Sequence, residues 1–477
     1  MDQNIIANLN KYRCGYICLV VLILALLLVL CSLLSTRNWL SFQDQSQKYF
    51  RHTTFSSVKN VSTHGYVVSM RYNGQQGAGI QALMSLQCFV GSFNLQMKIL
   101  EPAMSNTAFE SFLSDKDHSK SSSMFTDIFD ISHFNVVSKR EGFATISSEK
   151  EFLQSAPRNV ILANTKLRTL NSMSSPINVV WSSEGSSSCC ESKCGKYDVS
   201  AYTEAGFCIK RIVAINVPRI SEADVFNTIF GPLSPETVTL IFTMWSTRWS
   251  IRSSQIQNPT LCKNIKFSSN KTQFRPSPRL LADTKYYEDH FLNSANTLAI
   301  MFRLERMLWS LAHVRSEDVM NRVKECFHKV TDITMDIWKS KKQHGVPFIT
   351  VDIGKYGSKA WNVPFVRKLF KNMDLDAIND LLKETISSLY KSGWDIEQWE
   401  NTFTQATKGF NNSGYIAALQ RSLASQAECL VLVGGGNFQD LTMRDYMRNH
   451  PDKRSRCIHV VCAINEKELN TKIAETP

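Results

Sequence analysis

The hydrophobic pattern of this chain changes character along its length. From Cys14 to Leu34 the sequence reads CGYICLVVLILALLLVLCSLL, apolar on every side and uncharged. At a rise of about 1.5 Å per residue such a helix covers roughly 30 Å, the thickness of a bilayer's hydrocarbon core. Beyond it the apolar residues come in short runs. Tyr66–Met70, Leu95–Leu100, Asn159–Ala163, Asn178–Trp181, Ile212–Val217 and Val238–Phe242 read as buried strands, as do Leu298–Phe302, Phe348–Val351, Cys429–Val433 and Ile458–Cys462. Between them the period becomes helical. Val319, Val323, Cys326, Val330, Ile333 and Ile337 stripe a helix over 317–340, and Ile416, Leu419, Leu423 and Ala427 stripe another that runs into the strand at Cys429. Strand–helix–strand alternation predicts an α/β protein with parallel sheets and helices on both faces, ligands binding at the carboxyl ends of the strands.

The first apolar run is too long for a secretory signal peptide and lacks a small-residue cleavage site, so it reads as an uncleaved transmembrane signal anchor. Lys11 and Arg13 precede it while Arg37, Lys48 and Arg51 follow, a nearly symmetrical balance. The sequons at Asn60, Asn270 and Asn411 break the tie. They predict a cytosolic tail (1–13), the anchor (14–34), a polar stem (35–60) and a lumenal body. Within the body, 61–285 and 286–477 read as two domains, the stretch Arg252–Lys285 with its Arg275-Pro-Ser-Pro-Arg279 connecting them. Ser114–Ser123 and Ser182–Lys196 read as surface loops.

Thirteen cysteines divide into three in the anchor and ten beyond it, an even set that an oxidising compartment can pair completely. Cys189, Cys190, Cys194 and Cys208 read as a stapled loop, with zinc as the rival, and Cys457 with Cys462 as a short C-terminal closure. The net charge of +12 is dispersed rather than striped, which points away from nucleic acid and toward anionic substrates.

Four motifs follow strands. Gly74-Gln75-Gln76-Gly77-Ala78-Gly79 opens a helix after the first. Arg303 follows Leu298–Phe302, where a guanidinium can clamp a phosphate bidentately, with Glu305 and Arg306 behind it. Asp352 follows Phe348–Val351 and presents a carboxylate beside glycines. Gly434-Gly435-Gly436-Asn437-Phe438-Gln439 leaves the end of Cys429–Val433 open ahead of a helix N-terminus. The pair Asp374-Leu375-Asp376 resembles a metal-binding DxD but reads as the surface charge of a helix.

The order of these motifs resembles the fucosyltransferase superfamily of α-1,6-fucosyltransferases and protein O-fucosyltransferases. The likeness runs through residues 66–102, through Ile-Met301-Phe-Arg303, through Thr350-Val-Asp352 and through 419–439. It implies a GT-B-like pair of Rossmann-type domains behind one transmembrane helix, in the Golgi or endoplasmic reticulum. It implies inverting transfer from GDP-fucose, without a metal or other cofactor, to a hydroxyl of a glycan or glycoprotein. By the same resemblance Arg303 is the diphosphate clamp. Asp352, Gly434, Gly435, Gly436, Gln439, Gly74, Gln75 and Gly77 hold the nucleotide sugar, and Glu305 is the carboxylate for general base. The chain departs from the pattern at Met301, where the family has His, and in the glycine turn, where the family is rich in Ser. Those departures keep open a catalytically inactive relative that binds glycans or proteins, or a GT-B enzyme using another sugar nucleotide.

Overall fold

The computed structural model describes residues 64–69, 76–104, 123–164, 177–183, 189–190, 192–195, 197–215, 225–242, 274–291, 298–311, 316–341, 347–351, 373–389, 413–452, 456–463, 466 and 470. The apolar run 14–34, the stem, the sequons Asn60, Asn270 and Asn411, and Gly74, Gln75 and Asp352 lie outside them. Among the described residues no helix is long and apolar enough to cross a membrane.

The protein is α/β, built on two largely parallel sheets. The larger comprises β1 (Gly65–Ser69), β2 (Met97–Leu100), β3 (Ile146–Ser147), β4 (Asn159–Asn164), β5 (Ile177–Ser182), β6 (Cys208–Ile215) and β7 (Val238–Phe242), in the order β3-β2-β1-β7-β4-β6-β5. All pairings are parallel except β5 on β6. That edge strand corrects one expectation: Asn178, Val179 and Val180 are exposed rather than buried. Apolar content alone does not tell an edge strand from a central one, because burial there is decided by the neighbouring layer.

The smaller sheet holds β8 (Leu298–Phe302), β9 (Phe348–Val351), β10 (Cys429–Val433) and β11 (Cys457–Val461), all parallel, in the order β9-β8-β10-β11. The main helices are α1 (Gln76–Ser92), α2 (Ile131–Arg140), α3 (Pro278–Phe291), α4 (Leu304–Leu311), α5 (Ser316–Lys341), α6 (Leu375–Leu389), α7 (Ser413–Gln426) and α8 (Asn437–Asn449).

The pleat explains how the smaller sheet is covered. In β8, Leu298, Ile300 and Phe302 join one apolar cluster, and Ala299 and Met301 the opposite one. The first cluster is closed by α4, α5 and α6, among them Val323, Val330 and Ile386. The second continues through α7 into the larger sheet, so that Leu430, Leu419, Val67 and Leu240 share one core. α1 packs against α8 across it. Burial on both faces accounts for the near-continuous apolar runs of the central strands.

Residues 278–285, assigned to a connection without periodicity, instead begin α3. Ser277 Oγ accepts the Leu280 N–H at 3.1 Å as an N-cap, and Pro278 takes the first helical position. Asp374 likewise caps α6, accepting the Ala377 N–H at 3.0 Å.

Disulfides join Cys189 to Cys208, Cys190 to Cys194, Cys326 to Cys462 and Cys429 to Cys457. The stapled loop is therefore formed, its four sulfurs paired as two disulfides. The expected Cys457–Cys462 closure is not formed: Cys457 reaches across to β10 and Cys462 to α5. Both partners are remote in sequence and adjacent only once the parallel sheet has formed.

Candidate functional site

β8, β10 and β11 end side by side, and the site is built on their carboxyl ends. Arg303 is the residue after β8. Its N–H donates to the Val433 carbonyl at 2.8 Å, and its own carbonyl accepts from Arg306 and Met307 at 3.1 Å each. Arg303 thus closes the strand ladder and starts α4 at once, which fixes its Cα at the sheet edge.

After Val433, β10 breaks into Gly434, Gly435 and Gly436, with φ of 96°, 74° and 108°. This is the left-handed region, open to glycine at little cost. The first glycine also has no room for a side chain, since a Cβ there would stand 2.4 Å from the Arg303 carbonyl oxygen. Gly434 N–H donates to Val461 O at 3.0 Å and belongs to the sheet. The Gly434 amide is thereby engaged within the sheet. The N–H groups of Gly435 and Gly436 have no partner among the described residues.

α8 begins at once. Gly436 is its N-cap and supplies no side-chain cap; the first helical bond runs from Asp440 N–H to Gly436 O at 3.0 Å. The turn therefore feeds into an uncapped helix N-terminus, whose first N–H groups and dipole favour an anion. Arginines lie against it. Arg303 Cζ stands 5.6 Å from the Phe438 ring centroid, and Arg306 Cγ would lie 3.2 Å from a Cβ at Gly436. Further along α8, burial pulls the Arg444 guanidinium down to about 10, against the opposing pull of Asp440 and Asp445.

Gln439 sits behind the turn. It is 2% exposed, and its Nε2 donates to Met301 O at 3.0 Å and to Val433 O at 2.8 Å. Its amide nitrogen braces α8 against the ends of β8 and β10, so Gln439 is a positioning residue. Met301 is 1% exposed and its side chain packs in the shared core.

The structure therefore brings together Arg303, Gly434, Gly435, Gly436 and Gln439. Glu305 lies in the first turn of α4 and Gly77 in the first turn of α1, the helix that packs on α8. Arg306 and Phe438 were missed as site residues. The signal for both was their position, one turn after Arg303 and two residues after the last glycine.

No family model and no curated protein sequence matches the chain. Solved structures similar to it include POFUT1 and a mutant of Arabidopsis thaliana FUT1. POFUT1 in its apo form aligns with a TM-score of 0.43 and 11% identity, over 85% of this chain and 99% of that one. POFUT1 in complex with GDP-fucose gives 0.43 and 11%, over 84% and 99%. A mutant of Arabidopsis thaliana FUT1 in complex with GDP gives 0.30 and 10%, over 89% and 74%.

Proposed function

We propose that this chain is a membrane-anchored glycosyltransferase that moves a sugar, with inversion, from a nucleotide diphosphate donor to a hydroxyl of a glycan or glycoprotein. The donor proposed is GDP-fucose. The observation that carries the reading is the open turn Gly434–Gly436 feeding the uncapped N-terminus of α8, with Arg303 and Arg306 laid against it. Such a site fits the charge that grows on a departing diphosphate.

In the reaction, Glu305 takes the proton of the acceptor hydroxyl as its oxygen attacks the anomeric carbon. The bond from that carbon to the β-phosphate oxygen breaks on the opposite face. The electron pair leaves with GDP, where Arg303 and the Gly435 and Gly436 N–H groups receive the added charge. Asp352 contacts the nucleotide, and Gly74, Gln75 and Gly77 contribute to binding the nucleotide sugar. The two sheets form the two halves of a GT-B-like enzyme, 61–285 and 286–477. The run 14–34 anchors it in the Golgi or endoplasmic reticulum membrane, with 1–13 cytosolic and 35–60 as stem. The four disulfides among the described residues support an oxidising lumen.

Met301 favours a second reading. A buried methionine stands where the resembled motif has a histidine, so one polar contact to the donor is absent. This fits a lumenal relative that binds glycans or proteins without turnover.

A thermal-shift series on the full chain with GDP, UDP and CMP separates these. Stabilisation by GDP supports the fucosyltransferase-like reading, and stabilisation by UDP or CMP alone transfers the site to another donor. No response to any nucleotide leaves the binding-module reading in possession.

A further inference from the structure

α8 begins at the glycine turn and ends, thirteen residues later, about 20 Å away at the amino ends of the small sheet's strands. There Tyr446 Oη donates to Glu428 O at 2.6 Å and accepts from Cys457 N–H at 3.0 Å, which ties the end of α8 to the starts of β10 and β11. A cavity of about 670 Å³ opens beside it, between α2, the segment ahead of α3, and the ends of α7 and α8. Its lining carries Arg275, Arg421, Arg448, His133 and His450, with Asp445 as the lone carboxylate among the described residues.

Asp445 is shared. Its Oδ2 lies 2.9 Å from Arg421 Nε and its Oδ1 3.0 Å from Arg448 Nη2. One negative charge thus faces two guanidiniums, and Arg275, exposed at the rim, adds a third positive charge. Arg421 is 2% exposed, yet its Nη1 has no hydrogen-bond partner among the described residues. A buried guanidinium N–H left unmade is costly, and native folds keep such groups where a ligand or water meets them. A tetrahedral oxyanion complements both the excess charge and the fixed fork of Arg donors.

We propose that this cavity is a second anion site, remote from the glycine turn, which takes a phosphate or sulfate ester borne on a small molecule of about monosaccharide size. Its lining joins α2 and the segment ahead of α3 to α7 and α8, so the ligand would fasten those parts together. The proposal does not depend on the sugar-transfer reading.

The test uses the full chain, with glucose 6-phosphate and glucose 6-sulfate as probes and glucose as control. Melting temperature and titration calorimetry are read on the wild type, Arg275→Glu and Arg303→Ala. The Arg275 side chain is exposed, so its reversal leaves the core intact, whereas Arg421→Gln risks the fold. At least one ester is expected to raise the melting temperature of wild type and Arg303→Ala alike, and to bind Arg275→Glu at least ten-fold more weakly. A response to the phosphate or to the sulfate alone names the class; a response to both assigns recognition to the shared oxyanion. The proposal is overturned if neither ester stabilises the protein, if glucose does so equally, or if binding survives Arg275→Glu. Loss of binding in Arg303→Ala would also overturn it by placing the anion at the glycine turn.

Discussion

The carbonyl oxygen of Arg303 lies so close to Gly434 that a Cβ on the glycine would approach it to 2.4 Å. Both atoms are backbone, held by the ladder between β8 and β10, so neither can swing aside. Gly434→Ala must therefore either open the ladder or abandon φ of 96°. The expected cost is about 1–3 kcal/mol of unfolding free energy, measured by chemical denaturation, with weaker nucleotide binding. Gly435→Ala, whose nearest neighbour is the Ala463 side chain, is expected to cost less.

Gln439 provides a second check on the same junction. Gln439→Glu replaces a donor with a carboxylate that faces the carbonyls of Met301 and Val433 at 2% exposure. A loss of about 3–5 kcal/mol is expected, measured by chemical denaturation. A variant as stable as the wild type would remove Gln439 from its bracing role.

The strands were legible because both faces of the central ones are buried, and that leaves continuous apolar runs such as LAIMF and CLVLV. The site's outline was legible for the related reason that glycines and arginines stand directly after those runs. What was not legible depends on tertiary neighbours. Val179 and Val180 carry the same local signal as a core strand but sit at an edge. Cys462 meets Cys326 only because β11 ends beside α5. Gln439 reads from sequence as a ligand contact, and nothing local shows that its amide nitrogen also bridges the carbonyls of Met301 and Val433. The start of α3 was hidden by prolines in its RPSPR segment, one of which takes the first helical position.

Burial holds His459 in β11 below its ordinary value. For a base whose folded pKa is depressed, the stability it confers is complete above the unfolded value of 6.5 and is lost as pH falls below it. The melting temperature is thus expected to drop as the pH is lowered from 7 to about 5.5. His459→Gln should show a shallower drop over the same range. An unchanged slope would mean that another group governs the acid response.

The central claim is that Arg303 and the glycine turn together hold a nucleotide diphosphate. Its most direct test is equilibrium titration of GDP into the full chain, wild type against Arg303→Ala. Loss of one charge-assisted contact of about 1.5–3 kcal/mol predicts binding roughly 10- to 150-fold weaker in the variant, with its melting temperature in the absence of nucleotide little changed. Equal affinity in the two proteins, or no GDP binding by the wild type, would contradict the account.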